Sequence, residues 1–71
     1  SANVQYLDFG AGKKYVAITD NVQDLSFVYD GQGNLVTQIP VESNAIAVRP
    51  LDFEKLRLFS ILEKTLTIEP L

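Results

Sequence analysis

The chain has no cysteine, no histidine, no methionine and no tryptophan. Without cysteine there is no disulfide staple and no thiolate nucleophile, so the fold has to be held by packing alone. With histidine missing as well, there is no imidazole base, no Ser/His/Asp or Cys/His triad, and no zinc site of the usual nitrogen or sulfur kind. Carboxylates, lysines, tyrosines and hydroxyls remain, and a glycosidase-like carboxylate pair would need an enclosed cleft that a domain this small rarely supplies. No catalytic residue, cofactor or metal is assigned on these grounds, and the chain is not expected to be an enzyme. Long apolar runs are absent too: the longest are about four residues, far short of the ~20 that cross a bilayer. No membrane span is expected, and no charged start followed by an apolar middle marks a signal peptide. The start Ser1-Ala2-Asn3 has no initiator, which points to a processed form or to a domain excised from a larger protein.

What is present suits one small β domain spanning residues 1–71. A chain of 71 residues buries only about 60% of its unfolded surface, so its stability margin is thin. Its hydrophobic content of 46% and charged content of 21% lie in the globular range, which argues against disorder. The net charge is −3, and the six basic residues are scattered along the sequence as Lys13, Lys14, Arg49, Lys55, Arg57 and Lys64. With no basic stripe, nucleic acid is not an expected partner.

Apolar and polar residues alternate with period two nearly throughout, in segments bounded by Gly, Asn, Asp or Pro, and this predicts strands. Val4 and Tyr6 oppose Gln5, Leu7 and Phe9; Val16 and Ile18 oppose Tyr15, Ala17 and Thr19; Leu25, Phe27 and Tyr29 oppose Ser26 and Val28. "SNAIAVRP" sets Ile46 and Val48 against Ala45, Ala47 and Arg49, with Pro50 closing the strand, as Pro40 closes the one before. "TLTIEP" sends Leu66 and Ile68 one way. The stretch "DFEKLRLFSILEK" fits two structures. Asp52 can cap a helix whose Leu56, Phe59, Leu62 and Leu66 fall at helical spacing, while Leu56 and Leu58 alternating with Arg57 and Phe59 fit a strand that turns at Glu63-Lys64. The fold class expected is all-β, a small antiparallel β-sandwich or barrel of six to seven strands. The alternative is α+β with one helix near residues 52–64.

"VYDGQGNLV", residues 28–36, sets five turn residues between apolar flanks. Asp30 and Asn34 can bond their own backbone, and Gly31 and Gly33 can take positive φ, which suits a hairpin with a bulge between "DLSFVYD" and "NLVTQIP". A phosphate loop would need a helix after the glycines, and an EF-hand loop would need oxygens where Gly31 and Gly33 stand. The glycines are therefore assigned to chain geometry.

Three family echoes rest on short motifs. "YLDFGAGKKYVAITDNVQDLSF" resembles the opening of small immunoglobulin-like modules such as the BACON domain, without the tryptophan that usually follows there. "DLSFVYDGQGNLVTQI" through "KTLTIEPL" is similar to the C-terminal sorting domains of type IX secretion, without their Gly-x-Tyr, and "YDGQGNL" matches a single copy of a YD repeat. Together the resemblances imply a small immunoglobulin-like β-sandwich module of extracytoplasmic, Bacteroidetes-type proteins, placed in the periplasm, at the cell surface or outside the cell.

The functional expectation is a non-catalytic accessory or protein-interaction module, acting through a sheet face or a strand edge on a protein partner or a neighbouring domain. "NAIAVRP", with no lysine, is a candidate edge. A carbohydrate-binding module is one alternative, with Tyr6, Tyr15 and Tyr29 as ligand-facing aromatics against their ordinary role as half-buried strand residues. A small regulatory or inhibitory subunit of an enzyme complex is another. Asp8, Asp20, Asp24, Asp30 and Asp52 could hold calcium if three met at one end of a sandwich, although aspartate at strand ends commonly serves turns.

Overall fold

The computed structural model describes residues 2–37, 40–52 and 55–71. Among them run seven strands: β1 Ala2–Asp8, β2 Lys14–Asp20, β3 Leu25–Asp30, β4 Val41–Glu42, β5 Ala45–Asp52, β6 Lys55–Leu62 and β7 Thr65–Pro70. All pairings are antiparallel and form two sheets, β1-β2-β3-β4 and β5-β6-β7, so the chain is all-β and is built as a small sandwich. The helix considered near residues 52–64 is not formed. Residues 55–62 are the central strand of the second sheet, and ladders on both flanks outweigh the helix propensity of "EKLRLF". Phe53 and Glu54 lie outside the described residues.

Tight turns set the registers. Gly10, Ala11 and Gly12 have φ of 81°, 52° and 77°, a left-handed run that lets Lys13 N–H reach the Gly10 carbonyl at 2.9 Å. Asp20 closes the β2–β3 turn by accepting the backbone N–H of Val22 at 2.8 Å and of Gln23 at 3.3 Å. The β6–β7 turn has no glycine: Glu63 takes φ of 56°, and its N–H donates to Asn44 Oδ1 at 2.7 Å. Pro50 does not close its strand. β5 runs on to Asp52 through a bulge, which an edge strand tolerates because one of its sides lacks a ladder.

The hairpin expected after β3 is shorter than the sequence implied. Tyr29 and Leu35 form one bridge and Val36 N–H donates to the Val28 carbonyl at 2.7 Å. The strand that next pairs with β3 is the two-residue β4, at its opposite end, where Ser26 faces Val41. Gln38 and Ile39, within the expected "NLVTQIP" strand, lie outside the described residues.

The core between the sheets is small in both number and size of side chains. Ala17, Val28, Ile46, Val48 and Leu58 are its buried apolar members, with Leu7, Phe9, Tyr15, Val41 and Leu56 packed around them. Hydroxyls occupy much of the rest. Ser26 and Ser43 are wholly buried, Ser43 Oγ donates to Ser26 Oγ at 2.6 Å, and Thr19 Oγ1 lies 3.0 Å from the same oxygen. Each hydroxyl has a partner, so this chain of oxygens escapes the penalty of an unpaired buried polar group. The chain exposes 4893 Å², about a tenth more than the roughly 4,400 Å² typical of a folded monomer of 7.9 kDa.

Candidate functional site: the outer face of the four-stranded sheet

Because side chains alternate across a strand, register decides which residues share a surface. Gln5, Ala17 and Val28 form one row across β1, β2 and β3, and Leu7 with Tyr15 belongs to the same face; this is the side that meets the second sheet. On the opposite, outer side the rows are Val4, Ile18, Phe27 and then Tyr6, Val16, Tyr29, with Leu25 beyond. The outer rows are apolar or aromatic at every one of these positions, whereas the inner rows mix Val28, Leu7 and Tyr15 with glutamine, alanine, serine and threonine. On this outer side Phe27 is half-buried, Tyr6 is 83% exposed and Val4 is 45% exposed.

The two full rows across three strands cover roughly 200 Å² in projection, or roughly 300 Å² with the row of Ala2, Asp20 and Leu25, from ~4.8 Å between strands and ~3.4 Å per residue. Isolated exposed apolar residues are ordinary; here Val4 and Tyr6 are open to solvent and continuous with half-buried Val16, Ile18, Phe27 and Tyr29. Charges border it without entering it: Asp20 lies at one end, and Asp8 opposite Lys14 at the other. Next to Tyr6 and Val16 a shallow depression of about 310 Å³ reaches Gly31 and Lys14.

The tyrosines divide between the two faces. Tyr6 and Tyr29 share the outer face, one on each side of Val16, about 10 Å apart across two strand spacings. Tyr15 lies on the inner face, packs against the core and tilts against Phe9 with ring centroids 6.2 Å apart. Three tyrosines therefore do not make one platform, and two lie on one surface. Val4, Val16, Ile18, Leu25 and Phe27, which complete that surface, carry no chemical signal of their own. Their sequence trace is the alternation that groups Val16 with Ile18 and Leu25 with Phe27 and Tyr29.

The aspartates work at separate turns. Asp8 accepts the Gly10 N–H at 2.9 Å, Asp20 serves the β2–β3 turn, and Asp24, at φ of 54°, accepts the Ser43 N–H on its carbonyl at 2.8 Å. Asp52 ends β5. Among the described residues no three carboxylates come together as a metal site.

Asp30 holds the glycine turn. Its Oδ1 accepts the N–H of both Gln32 and Asn34 at 2.9 Å, and the Gly33 N–H donates to its carbonyl at 3.1 Å. The donated N–H of Asn34 foremost, then those of Gln32 and Gly33 with the Asn34 side chain, hold its carboxyl below the ordinary carboxylate range. Of the two glycines only Gly33 takes positive φ, 86°; Gly31 does not, contrary to the sequence expectation, and a Cβ on it would meet Lys14 no closer than 3.7 Å.

The strand edges differ in availability. β5, the candidate edge, does lie at the border of its sheet, but Gln5 Nε2 crosses from β1 and donates to the Ile46 carbonyl at 3.2 Å. β7, at the other border, is exposed at every position. No helix among the described residues is long and apolar enough to cross a membrane. No family model, curated protein or solved structure matches the chain.

Proposed function

We propose that the chain is a non-catalytic accessory module that binds a protein partner or a neighbouring domain through the outer face of β1, β2 and β3. One observation carries the proposal: Phe27, Ile18, Val16, Val4, Tyr6 and Tyr29 face away from the core, while the inner face of the same strands mixes Val28, Leu7 and Tyr15 with Gln5, Ala17, Thr19 and Ser26. A domain that needed this apolar bulk for its own stability would turn it inward, where burial contributes about 25 cal/mol per Å². Displayed outward, it contributes that free energy to association. The lack of histidine and cysteine supports a non-catalytic role, and the resemblance of the turns to extracytoplasmic modules extends the proposal to a location outside the cytoplasm.

The test is recovery of a partner from native extract by the wild-type chain and by a Val4→Ser/Phe27→Ser variant with unchanged circular dichroism. A partner retained by the first and lost by the second supports the proposal; equal recovery by both refutes it.

Carbohydrate binding is the second reading, favoured by Tyr6 and Tyr29 on one flat, open face, where rings could stack on sugar faces. It predicts that Tyr6→Ala and Tyr29→Ala each weaken binding to a soluble polysaccharide while Tyr15→Ala lowers stability instead. Calorimetric titration separates the two readings.

A further inference from the structure

The second sheet has an outer face of the same kind. Ala45, Ile61 and Leu66 form one row across β5, β6 and β7, and Ala47, Phe59 and Ile68 form the next. Ile61, Leu66 and Ile68 are 43%, 57% and 50% exposed. The following row sets Arg49 beside Arg57 on adjacent strands, each guanidinium donating to the carbonyl of the residue before it, Val48 at 2.8 Å and Leu56 at 3.1 Å. Like charges directly opposite one another destabilise a strand pair unless an opposite charge meets them. None of these three rows holds a carboxylate, and beyond the bulge Asp52 pairs with Lys55, so the end of this face keeps an excess of positive charge.

The four-stranded sheet presents the complement. Its apolar rows end at Asp20, while the Asp8 and Lys14 charges at the other end offset each other. If two copies met through like faces, the arginine pair would lie on another arginine pair or on an apolar row, and Asp20 on another Asp20 or on the neutral end. Contact between unlike faces can bring Asp20 to the arginines, and it lays apolar rows on apolar rows.

We propose that copies of this chain stack head to tail, the outer face of β1, β2 and β3 of one copy resting on the outer face of β5, β6 and β7 of the next, with Asp20 set toward Arg49 and Arg57. This names the partner of the interaction face proposed above and rests on that function. Two such faces meet over roughly 600 Å² in projection, below the ~1,200–2,000 Å² of accessible surface that stable complexes bury, so the contact is weak and concentration-dependent. Because the two faces differ, one contact leaves a free face at each end, and the stack stays open.

Sedimentation equilibrium of the wild-type chain, from ~10 µM to ~1 mM at low and high salt, is the first measurement. The expected result is an average mass that climbs past that of a dimer without a plateau, and falls as salt screens Asp20 from the arginines. Two variants at exposed positions then separate the faces: Tyr6→Lys blocks the first and Ile68→Glu the second, each checked for native circular dichroism. Each alone is expected to be monomeric, and an equimolar mixture to stop at the mass of a dimer, since each variant supplies the face the other lacks.

A wild-type chain that stays monomeric at ~1 mM, a mixture that stays monomeric, or a dimer formed by either variant alone overturns head-to-tail stacking. The function proposed above fails separately, if a foreign partner is retained in full by Val4→Ser/Phe27→Ser.

Discussion

Val28 and Phe27 are neighbours in sequence on opposite faces of one strand, and truncating each in turn tests the whole assignment of inside and outside. Val28 is completely buried, between Ala17 on β2 and the second sheet. Val28→Ala removes two methyl groups at ~0.8 kcal/mol each and leaves a void that a tightly packed pair of sheets cannot close, a loss of about 2–3 kcal/mol. A domain of 71 residues has a total stability of about 4–10 kcal/mol, so this one change removes about a fifth or more of it and lowers the melting temperature by about 10–20 °C. Phe27 is larger, lies on the outer face in register with Ile18 and is half-buried there. Phe27→Thr keeps a strand-compatible residue and gives up a cross-strand pair of about 0.2–1 kcal/mol, a shift of no more than about 5 °C. The assay is thermal and urea unfolding followed by circular dichroism at ~10 µM, where self-association adds little. If Phe27→Thr were the more damaging of the two at that concentration, the bulky rows would belong to the core and the interaction face would not exist.

Further outcomes follow from the turns and the buried hydroxyls. Gly33→Ala places a Cβ at φ of 86° and is expected to cost about 1–2 kcal/mol, whereas Gly31→Ala stays within about 0.5 kcal/mol; urea midpoints of the two variants check this. Glu63→Gly relieves a left-handed non-glycine residue and is expected to raise the melting temperature by a few degrees, read by calorimetry. Ser26→Ala leaves the hydroxyls of Thr19 and Ser43 without their shared partner in a buried site, a loss of about 1–3 kcal/mol that urea unfolding would register. Since the folded carboxyl of Asp30 titrates below its unfolded value, its stabilisation of the turn is complete above about pH 4 and is lost as pH falls through the folded value. In Asp30→Asn that acid-dependent part should vanish, which amide resonances of residues 31–34 followed from pH 6 to pH 2 would reveal.

The period-two pattern carried the strand content, because alternate side chains on a pleated strand face two environments wherever the segment lies. It also paired Leu66 with Ile68, and Ile46 with Val48, on faces that the sheets then used. Residues 55–62 were ambiguous for a physical reason: "EKLRLFSIL" satisfies both periods, and the choice was made by β5 and β7 on either side of it. Pro50 misled because a proline stops a strand only where its N–H is needed, and an edge strand has a side where it is not. Of the candidate site, the residues of each strand face were legible, but their assembly into one surface depended on registers set by the left-handed turns at Gly10-Ala11-Gly12 and Asp24.

By itself the sequence determined that these 71 residues form strands and hold no thiol or imidazole, and that each strand has two unlike faces, since composition and alternation are local properties. Which face turns inward is not local. The face that carries Ala17, Val28, Ser26, Leu58 and Ser60 was turned toward the opposite sheet, and alternation then put Phe27 and Phe59 on the outer sides. Charge was redistributed in the same way: Lys13, far in the chain from Lys55 and Arg57, borders with them one cleft of about 410 Å³, and Arg49 came to lie beside Arg57. Those placements depend on how the strands pair and how closely the sheets approach, and tertiary structure alone decided them.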